Sequence, residues 1–467
     1  MSAEAMGASL LILGVFLLLG MWIRIVTPLF QRLFLPTSII TGLLLLLLGP
    51  EVFGRIIQAM GGEGSRLAEG LFPEFMLDTW ELLPELLISV IFTCLFLGKK
   101  IPSPKKMWSI AGPQITFGQM MAWGQYTLGI LLALLVLGPF FGLPPVAGAL
   151  IEISFEGGHG TAAGLANTFE QVDFAEGADM ALGLATVSMI SGVIICIAII
   201  NWGVRKNKAE HLRSPSELTK TELRGIIPED ERESAGKIVT RGEAIETLTI
   251  HFGAIGVSIL GGFLLLEGLV LLENWLFGSD FMTYVPLFTF AMLASVALQV
   301  LLNKFDKNHF IDRNLILRVQ GFSLDILIVS AMATLSLSVI GDNIIPFILL
   351  AVVGIVWNVL VFFLLAPRMI PSYWFEKGMG DLGQSLGMTA TGLLLLKVTD
   401  PKEKTPATEG FGYKQLMFEP ILGGGLFTAF SLPLIFQFGP IPILILTTML
   451  LFGWLLLGLL YFGKKKE

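Results

Sequence analysis

Two glycine-rich stretches carry the residues of this chain best suited to hold a small charged ligand. The first reads Phe155-Glu-Gly-Gly-His-Gly-Thr-Ala-Ala-Gly164, and the second begins at Gly383-Gln-Ser-Leu-Gly-Met-Thr-Ala-Thr-Gly392. Glycine lets a backbone turn tightly and approach a ligand closely. A helix broken at such residues exposes N–H donors at one end and carbonyl acceptors at the other, with partial charges that suit anions and cations respectively. The pattern therefore predicts sites for both signs of charge.

Side-chain oxygens surround these glycines, and such oxygens are hard ligands suited to a weakly held sodium ion. The hydroxyl and amide candidates are Ser154, Thr161, Asn167, Gln384, Ser385, Thr389 and Thr391. The candidate Na⁺ ligands are Ser154, Asn167, Asp325 and Thr391. The alternative for each Ser or Thr is that its hydroxyl only satisfies the backbone of a broken helix.

Charged and amide residues inside apolar segments are the next candidates. Asp325 falls near the middle of a predicted span, where an ionisable group is costly and usually functional, so we expect it to bind a cation or a substrate ammonium group. The alternative is a structural contact with His159 or a backbone amide. We expect one or two of Glu152, Glu156 and His159 to lie in water at the mouth of the first glycine-rich stretch.

Neutral side chains complete the predicted cavity. No Arg or Lys falls in the middle of a predicted span, so an anion would be held by helix N-termini and neutral donors. Four amides are candidates for the cavity wall, with tight helix packing as the alternative explanation. They are Gln114, Gln119, Gln125 and Asn358.

The elements that must position these residues are membrane helices. Of 467 residues, 54% are hydrophobic and only 14% are charged, and the mean hydropathy is +0.78. Continuous apolar runs of about 20 residues recur along the chain, which predicts transmembrane helices instead of a barrel. A net charge of −7 leaves no basic face for nucleic acid. Cys94 and Cys196 lie in apolar runs and are expected to pack as small hydrophobic residues.

Loop charges predict the orientation, because basic loops stay in the cytoplasm. The N-terminus is predicted outside and the C-terminus inside, in a bacterial inner membrane, with about eleven transmembrane helices. The predicted spans are 8–23, 34–49, 80–98, 108–138, 180–202, 244–272, 284–302, 315–340, 344–366, 415–436 and 441–462. Segment 144–166 lies between an uncharged turn and an acidic loop that are both predicted outside, and segment 378–398 has basic residues on both sides. We therefore predict that both are re-entrant hairpins, buried in protein or lining a polar cavity.

The two halves of the chain have opposite predicted orientations, which indicates an inverted-topology repeat. The predicted N-terminal repeat is 1–203, the connector is 204–243, the C-terminal repeat is 244–437, and 438–467 is an extra helix with a basic tail. A short match between the hairpins supports the repeat, since His159-Gly-Thr-Ala-Ala-Gly-Leu165 shares four residue types at equal offsets with Gly387-Met-Thr-Ala-Thr-Gly-Leu393. The fold class is an all-α polytopic membrane protein of two inverted repeats with two re-entrant hairpins.

Both glycine-rich stretches resemble the signature hairpins of the bacterial glutamate:sodium symporter family, and Pro36-Thr-Ser-Ile-Ile-Thr-Gly42 extends the likeness. The resemblance implies a homodimeric elevator-type secondary transporter that takes up L-glutamate with Na⁺. It also implies ligand-facing residues at the matching positions. With the polar candidates above, the predicted substrate-binding residues are Gly157, Gly158, His159, Gly160, Thr161, Gly383, Gln384, Ser385, Gly387, Met388, Thr389 and Asp325.

Other functions stay open at this point. A Na⁺-coupled citrate or dicarboxylate symporter is the main alternative, because glycine tips specify a carboxylate more clearly than an amino group. Gly378-Met-Gly-Asp381 matches the GxGD motif of intramembrane aspartyl proteases, with Asp325 as a second carboxylate. Against a protease, Leu324 stands where that family has Tyr, and no Pro-Ala-Leu motif follows. We therefore predict a transporter and no enzyme activity.

Overall fold

The computed structural model describes residues 3–61, 65–99, 103–206, 224–279, 281–400 and 404–463. These residues form helices and connecting turns, with no strand among them. Nine helices within the described ranges are long and apolar enough to cross a membrane. The predicted all-α polytopic membrane fold is confirmed. Part of the predicted connector, 207–223, lies outside the described residues.

The chain divides into two compact units. The first comprises the described parts of Met1–Lys100, Ala163–Thr168 and Lys220–Ser338. Its long helices are Ala3–Val26, Thr37–Leu48, Glu74–Cys94, Thr247–Phe277, Leu287–Phe305 and Arg313–Ala333. Short helical segments join them at Pro28–Arg32, Pro50–Gly54, Arg55–Ala59, Arg66–Glu69, Glu229–Glu231 and Phe281–Tyr284.

Aromatic and aliphatic side chains form a core inside the first unit. Trp80 is fully buried among Leu13, Leu45 and Val329, and its indole N–H donates to the carbonyl of Ser9 at 3.2 Å. The indole thereby buries its large apolar ring while its one donor stays satisfied. Arg313 connects the start of the Arg313–Ala333 helix to the end of the Glu74–Cys94 helix, because its guanidinium donates to the carbonyls of Cys94 and Leu97.

The second unit comprises the described parts of Ile101–Ala162, Phe169–Thr219 and Val339–Glu467. Its uninterrupted helices are Pro104–Leu132, Glu176–Arg205, Ile344–Met369 and Pro440–Leu457. Its broken helices are Leu150–Phe155 with Gly158–Gly164, Trp374–Ser385 with Thr389–Thr399, and Ala407–Phe418 with Leu426–Phe438. Shorter segments are Ala133–Leu137, Gly138–Phe141, Pro145–Ala149 and Gly458–Phe462, while Ala166–Gln171 and Leu337–Asp342 lie at the boundaries between the units.

Two predicted spans differ from the structure. The predicted span 315–340 ends at Ala333, and a separate short helix follows at Leu337–Asp342. The predicted span 415–436 is not one helix, because the chain leaves helical geometry between Phe418 and Leu426. Gly423 and Gly424 have φ angles of 65° and 100° there, a left-handed conformation that glycine adopts without steric cost. Hydropathy alone could not detect this break, since the segment is apolar on both sides.

We call the first two broken elements hairpin 1 (Leu150–Phe155 and Gly158–Gly164) and hairpin 2 (Trp374–Ser385 and Thr389–Thr399). The third, around Phe418–Gly425, is the third break. Residues 163–168 at the end of hairpin 1 group with the first unit, and everything else in the three broken elements belongs to the second unit.

Candidate functional site

The tips of the two hairpins touch each other. Gly158 has a φ angle of 68°, and a Cβ placed on it would lie 3.2 Å from the carbonyl oxygen of Gly387 and 3.6 Å from Cβ of Met388. Both the positive φ and the close approach explain why glycine occupies this position. The two broken helices therefore meet at their tips.

Each tip places a threonine hydroxyl one helical turn beyond a glycine. A Cβ on Gly157 would lie 2.9 Å from Oγ1 of Thr161, and one on Gly387 would lie 2.8 Å from Oγ1 of Thr391. The two hairpins thus share a local geometry of glycine and threonine. The correspondence is shifted by two residues from the sequence match, which paired Thr161 with Thr389.

Ser385, the last residue of the first limb of hairpin 2, joins three segments. Its carbonyl accepts from Nδ2 of Asn358 at 2.9 Å and from Nε2 of Gln125 at 3.3 Å, and Gln125 also donates to Oδ1 of Asn358 at 3.1 Å. Its hydroxyl donates to Oε1 of Glu156 in hairpin 1. Two of the amides predicted for the cavity wall therefore bind the free carbonyl at a helix C-terminus.

A buried ion pair lies beside this network. Nζ of Lys414 is 3.1 Å from Oδ1 of Asp381, and neither side chain is exposed. Lys414 also donates to Oε1 of Gln384 at 2.6 Å and lies 4.4 Å from the ring centroid of Phe418. Lys414 lies one residue before the predicted span 415–436, so the loop charges predict it in the cytoplasm. The structure instead buries it, because the Ala407–Phe418 helix carries its ammonium group into the protein interior.

Glu152 fastens the third break to hairpin 1. Its Oε1 accepts from the backbone N–H of Gly423 at 2.8 Å and from the hydroxyl of Thr428 at 3.0 Å. Its Oε2 accepts from the Tyr126 hydroxyl at 2.5 Å. Both carboxylate oxygens are satisfied, so this fully buried side chain holds backbone that left helical geometry at the break.

Thr389, which begins the second limb of hairpin 2, is also tied to the third break. Its hydroxyl accepts from Nε2 of Gln415 at 2.7 Å and donates to Oε1 of Glu419 at 3.2 Å. Gln415 donates to the same Glu419 oxygen at 3.0 Å. All three broken elements are therefore connected by polar side chains inside one compact unit.

The model of the family described as Sodium/glutamate symporter matches residues 4–399. The chain belongs to the sodium/glutamate symporter family. The resemblance seen in the glycine-rich stretches is confirmed, and the match covers the first unit and both hairpins. No curated protein matches the chain. Lys414 and the third break follow the matched residues.

This symporter-family chain gathers most of the predicted ligand-binding residues in the second unit, at or near the two tips. His159 is buried with its Nε2 3.0 Å from the Thr186 hydroxyl. Ser154 is fully buried and its hydroxyl has no hydrogen-bond partner among the described residues. Gly160 and Met388 are half-buried. Gly383 packs the limbs of hairpin 2 together, since a Cβ there would lie 2.4 Å from Cδ1 of Leu395.

Two predicted Na⁺ ligands belong to the first unit instead. Asn167 and Asp325 are both exposed side chains of that unit.

The predicted solvent exposure of the charged and titratable residues of hairpin 1 is wrong. Glu152, Glu156 and His159 are 0%, 3% and 2% exposed, so none lies in water at the hairpin mouth. Hydropathy predicts that an acidic residue near the end of a segment is solvated. It contains no information about the hydroxyls of Tyr126 and Ser385, whose hydrogen bonds to Glu152 and Glu156 allow these carboxylates to be buried. The signal that could have indicated the third break is Glu419-Pro-Ile-Leu-Gly-Gly-Gly425, a glycine run inside an apolar segment.

Proposed function

We propose that this chain is a secondary active transporter that moves L-glutamate together with Na⁺ into a bacterial cell across the inner membrane. Its membership of the sodium/glutamate symporter family supports the substrate and the coupling ion. The single structural observation that carries the proposal is the contact of the two glycine tips at Gly158 and Gly387. Broken helices that meet at their tips are where an inverted-repeat transporter binds its substrate.

The proposed mechanism is an elevator in which the second unit carries the site from one side of the membrane to the other. Support comes from the composition of the units. Each half of the chain contributes three long helices to the first unit and its own hairpin, apart from residues 163–168, to the second. The first unit would then serve as the scaffold of a homodimer, with the N-terminus outside and the C-terminus in the cytoplasm.

The binding chemistry follows from the tips. The Thr389–Thr399 helix begins at the tip, and its free N–H groups suit a substrate carboxylate. Thr161 and Thr391 supply hydroxyls one turn from the glycines. We propose that the predicted residues at both tips bind glutamate, and that Ser154 and Thr391 remain candidates for the coupling ion. Asn167 remains a candidate ligand of the ion, and Asp325 a candidate ligand of the ion or of the substrate ammonium group.

The protease alternative gains no support, because Asp381 is paired with Lys414 and an aspartyl dyad needs a second carboxylate at that position. The citrate or dicarboxylate alternative becomes an arm of the experiment. Purified protein in liposomes is given radiolabelled L-glutamate with unlabelled L-glutamate, L-aspartate, citrate or malate as competitor, and radiolabelled citrate is tested in parallel. Inhibition by unlabelled glutamate alone, or by glutamate and aspartate, supports an amino-acid carrier. Uptake of labelled citrate with no uptake of glutamate would overturn the substrate.

A further inference from the structure

Glu156 at the tip of hairpin 1 has a carboxylate oxygen without a partner. The side chain is 3% exposed, its Oε1 accepts from the Ser385 hydroxyl, and its Oε2 has no hydrogen-bond partner among the described residues. Leaving a buried carboxylate oxygen unpaired is costly. The ammonium group of Lys414 contacts Asp381 and Gln384 and makes no hydrogen bond to this oxygen.

Gln125, which also hydrogen-bonds Ser385, has a second unpartnered oxygen. Its Nε2 donates to Oδ1 of Asn358 and to the carbonyl of Ser385, while its Oε1 is buried without a partner in the described part of the chain. Rotating the amide would set its oxygen against two acceptors, so the contacts fix its orientation. The free oxygen of Gln125 is therefore a consequence of the network.

Ser385 connects these two side chains at the end of a helix. It is the last residue of Trp374–Ser385, and the C-terminal end of a helix of this length carries partial negative charge. A carboxylate and an amide, each with a free oxygen, thus both hydrogen-bond Ser385 at an electronegative end of the backbone. Oxygen donors with one net negative charge are what a hard monovalent cation prefers.

We propose that Glu156, Gln125 and Ser385 bind the coupling sodium ion. The site rests on the proposed function for the identity of the cation. It assigns Ser385, predicted above as a substrate ligand, to the ion, and it adds Glu156 and Gln125 to the candidate ion ligands Ser154 and Thr391. Its donors come from the Pro104–Leu132 helix, the tip of hairpin 1 and the first limb of hairpin 2. Sodium binding would therefore hold the two tips together, which explains how an ion could control the substrate site between them.

Ion binding can be measured without any substrate. Thermal unfolding of the detergent-purified full chain is followed in NaCl, in KCl and in choline chloride at equal ionic strength. Sodium should raise the Tm of the wild type in a saturable way, because a ligand that binds only the folded state stabilises it. In Glu156→Gln the sodium concentration that gives half the shift should rise about tenfold or more. An unchanged sodium response in Glu156→Gln would overturn the site.

Glu152→Gln is the matched control, since Glu152 lies one turn earlier on hairpin 1 and both its oxygens already have partners. It should keep the wild-type sodium response. Gln125→Leu and Ser385→Ala are further variants, and both should weaken the sodium response even if Glu156→Gln fails to fold. Loss of the response in Glu152→Gln as well as Glu156→Gln would show a general structural effect and contradict the proposal.

Uptake separates this inference from the proposed function. If the wild type takes up glutamate with Na⁺, Glu156→Gln should raise the sodium concentration for half-maximal uptake. A raised KM for glutamate with an unchanged sodium dependence would make Glu156 a partner of the substrate ammonium group and overturn the ion site. If the wild type takes up no glutamate but shows a Glu156-dependent sodium shift, the ion site stands and the substrate assignment fails.

Discussion

Nζ of Lys414 and Oδ1 of Asp381 are 3.1 Å apart, and both side chains are fully buried in the second unit. The pair fastens the first limb of hairpin 2 to the helix that leads into the third break. Gln384 and the ring of Phe418 complete the surroundings of the ammonium group. A buried pair of this kind is costly to form, but it is far more costly to break, because one charge then remains unpaired.

Lys414→Met is therefore expected to destabilise the protein by about 3–5 kcal/mol, by leaving Asp381 buried without its partner. The measurement is thermal unfolding of the detergent-purified variant, together with its yield in membranes. The matched control is the double variant Lys414→Met with Asp381→Asn, which removes both charges and should recover much of the loss. A single variant as stable as the wild type would contradict the structural role of the pair.

Gly158→Ala should reduce transport strongly, because the substitution strains a left-handed backbone by about 1–2 kcal/mol and adds a Cβ at the contact with Gly387. Gly142→Ala is the matched control, since Gly142 also has a positive φ angle, 73°, but a Cβ there would have no neighbour within 4 Å. Initial uptake rates at equal protein levels check the prediction. Equal effects of the two substitutions would show that backbone strain alone matters and that the tip contact does not.

Glu152→Ala should impair folding and uptake, since it leaves the N–H of Gly423 and the hydroxyls of Tyr126 and Thr428 without their acceptor. Each donor buried without a partner costs about 1–3 kcal/mol. Glu152→Gln keeps an oxygen that accepts from Gly423 and Thr428, and its new amide N–H can donate to the Tyr126 hydroxyl oxygen. Its loss of stability and uptake should therefore be much smaller. Comparison of the two variants by Tm and uptake tests whether Glu152 holds the third break. Equal Tm values for both variants would contradict it.

Much of the fold is predictable from the sequence, because long apolar stretches indicate membrane helices and closely spaced glycines indicate the hairpins. The polar interior is not. From the sequence, Lys414 is predicted in a loop, but in the structure it is buried and paired with Asp381. Glu152 is likewise predicted at the surface, but in the structure it is buried and bound by Tyr126 and Gly423. Those partners come from distant parts of the chain, so no local pattern could have paired them.

Alternating exposure of the tips is a further prediction of the elevator proposal. Cys94 and Cys196 are both buried, so a variant with both replaced by Ala gives a cysteine-free background. Ala390→Cys, at an exposed position of hairpin 2, should react with a membrane-impermeant maleimide from either side of the membrane. Met60→Cys, on an exposed turn of the first unit, should react from one side only. Labelling of position 390 from a single side under all ionic conditions would contradict the proposal.

Sodium-driven accumulation of glutamate tests the central claim most directly. Liposomes containing the purified full chain are loaded with choline chloride and diluted into radiolabelled L-glutamate with either NaCl or KCl outside. The account predicts that an inward Na⁺ gradient drives glutamate above its external concentration, and that equal K⁺ or a sodium ionophore abolishes the accumulation. Uptake that is unchanged when K⁺ replaces Na⁺, or no glutamate uptake under any gradient, would contradict the account.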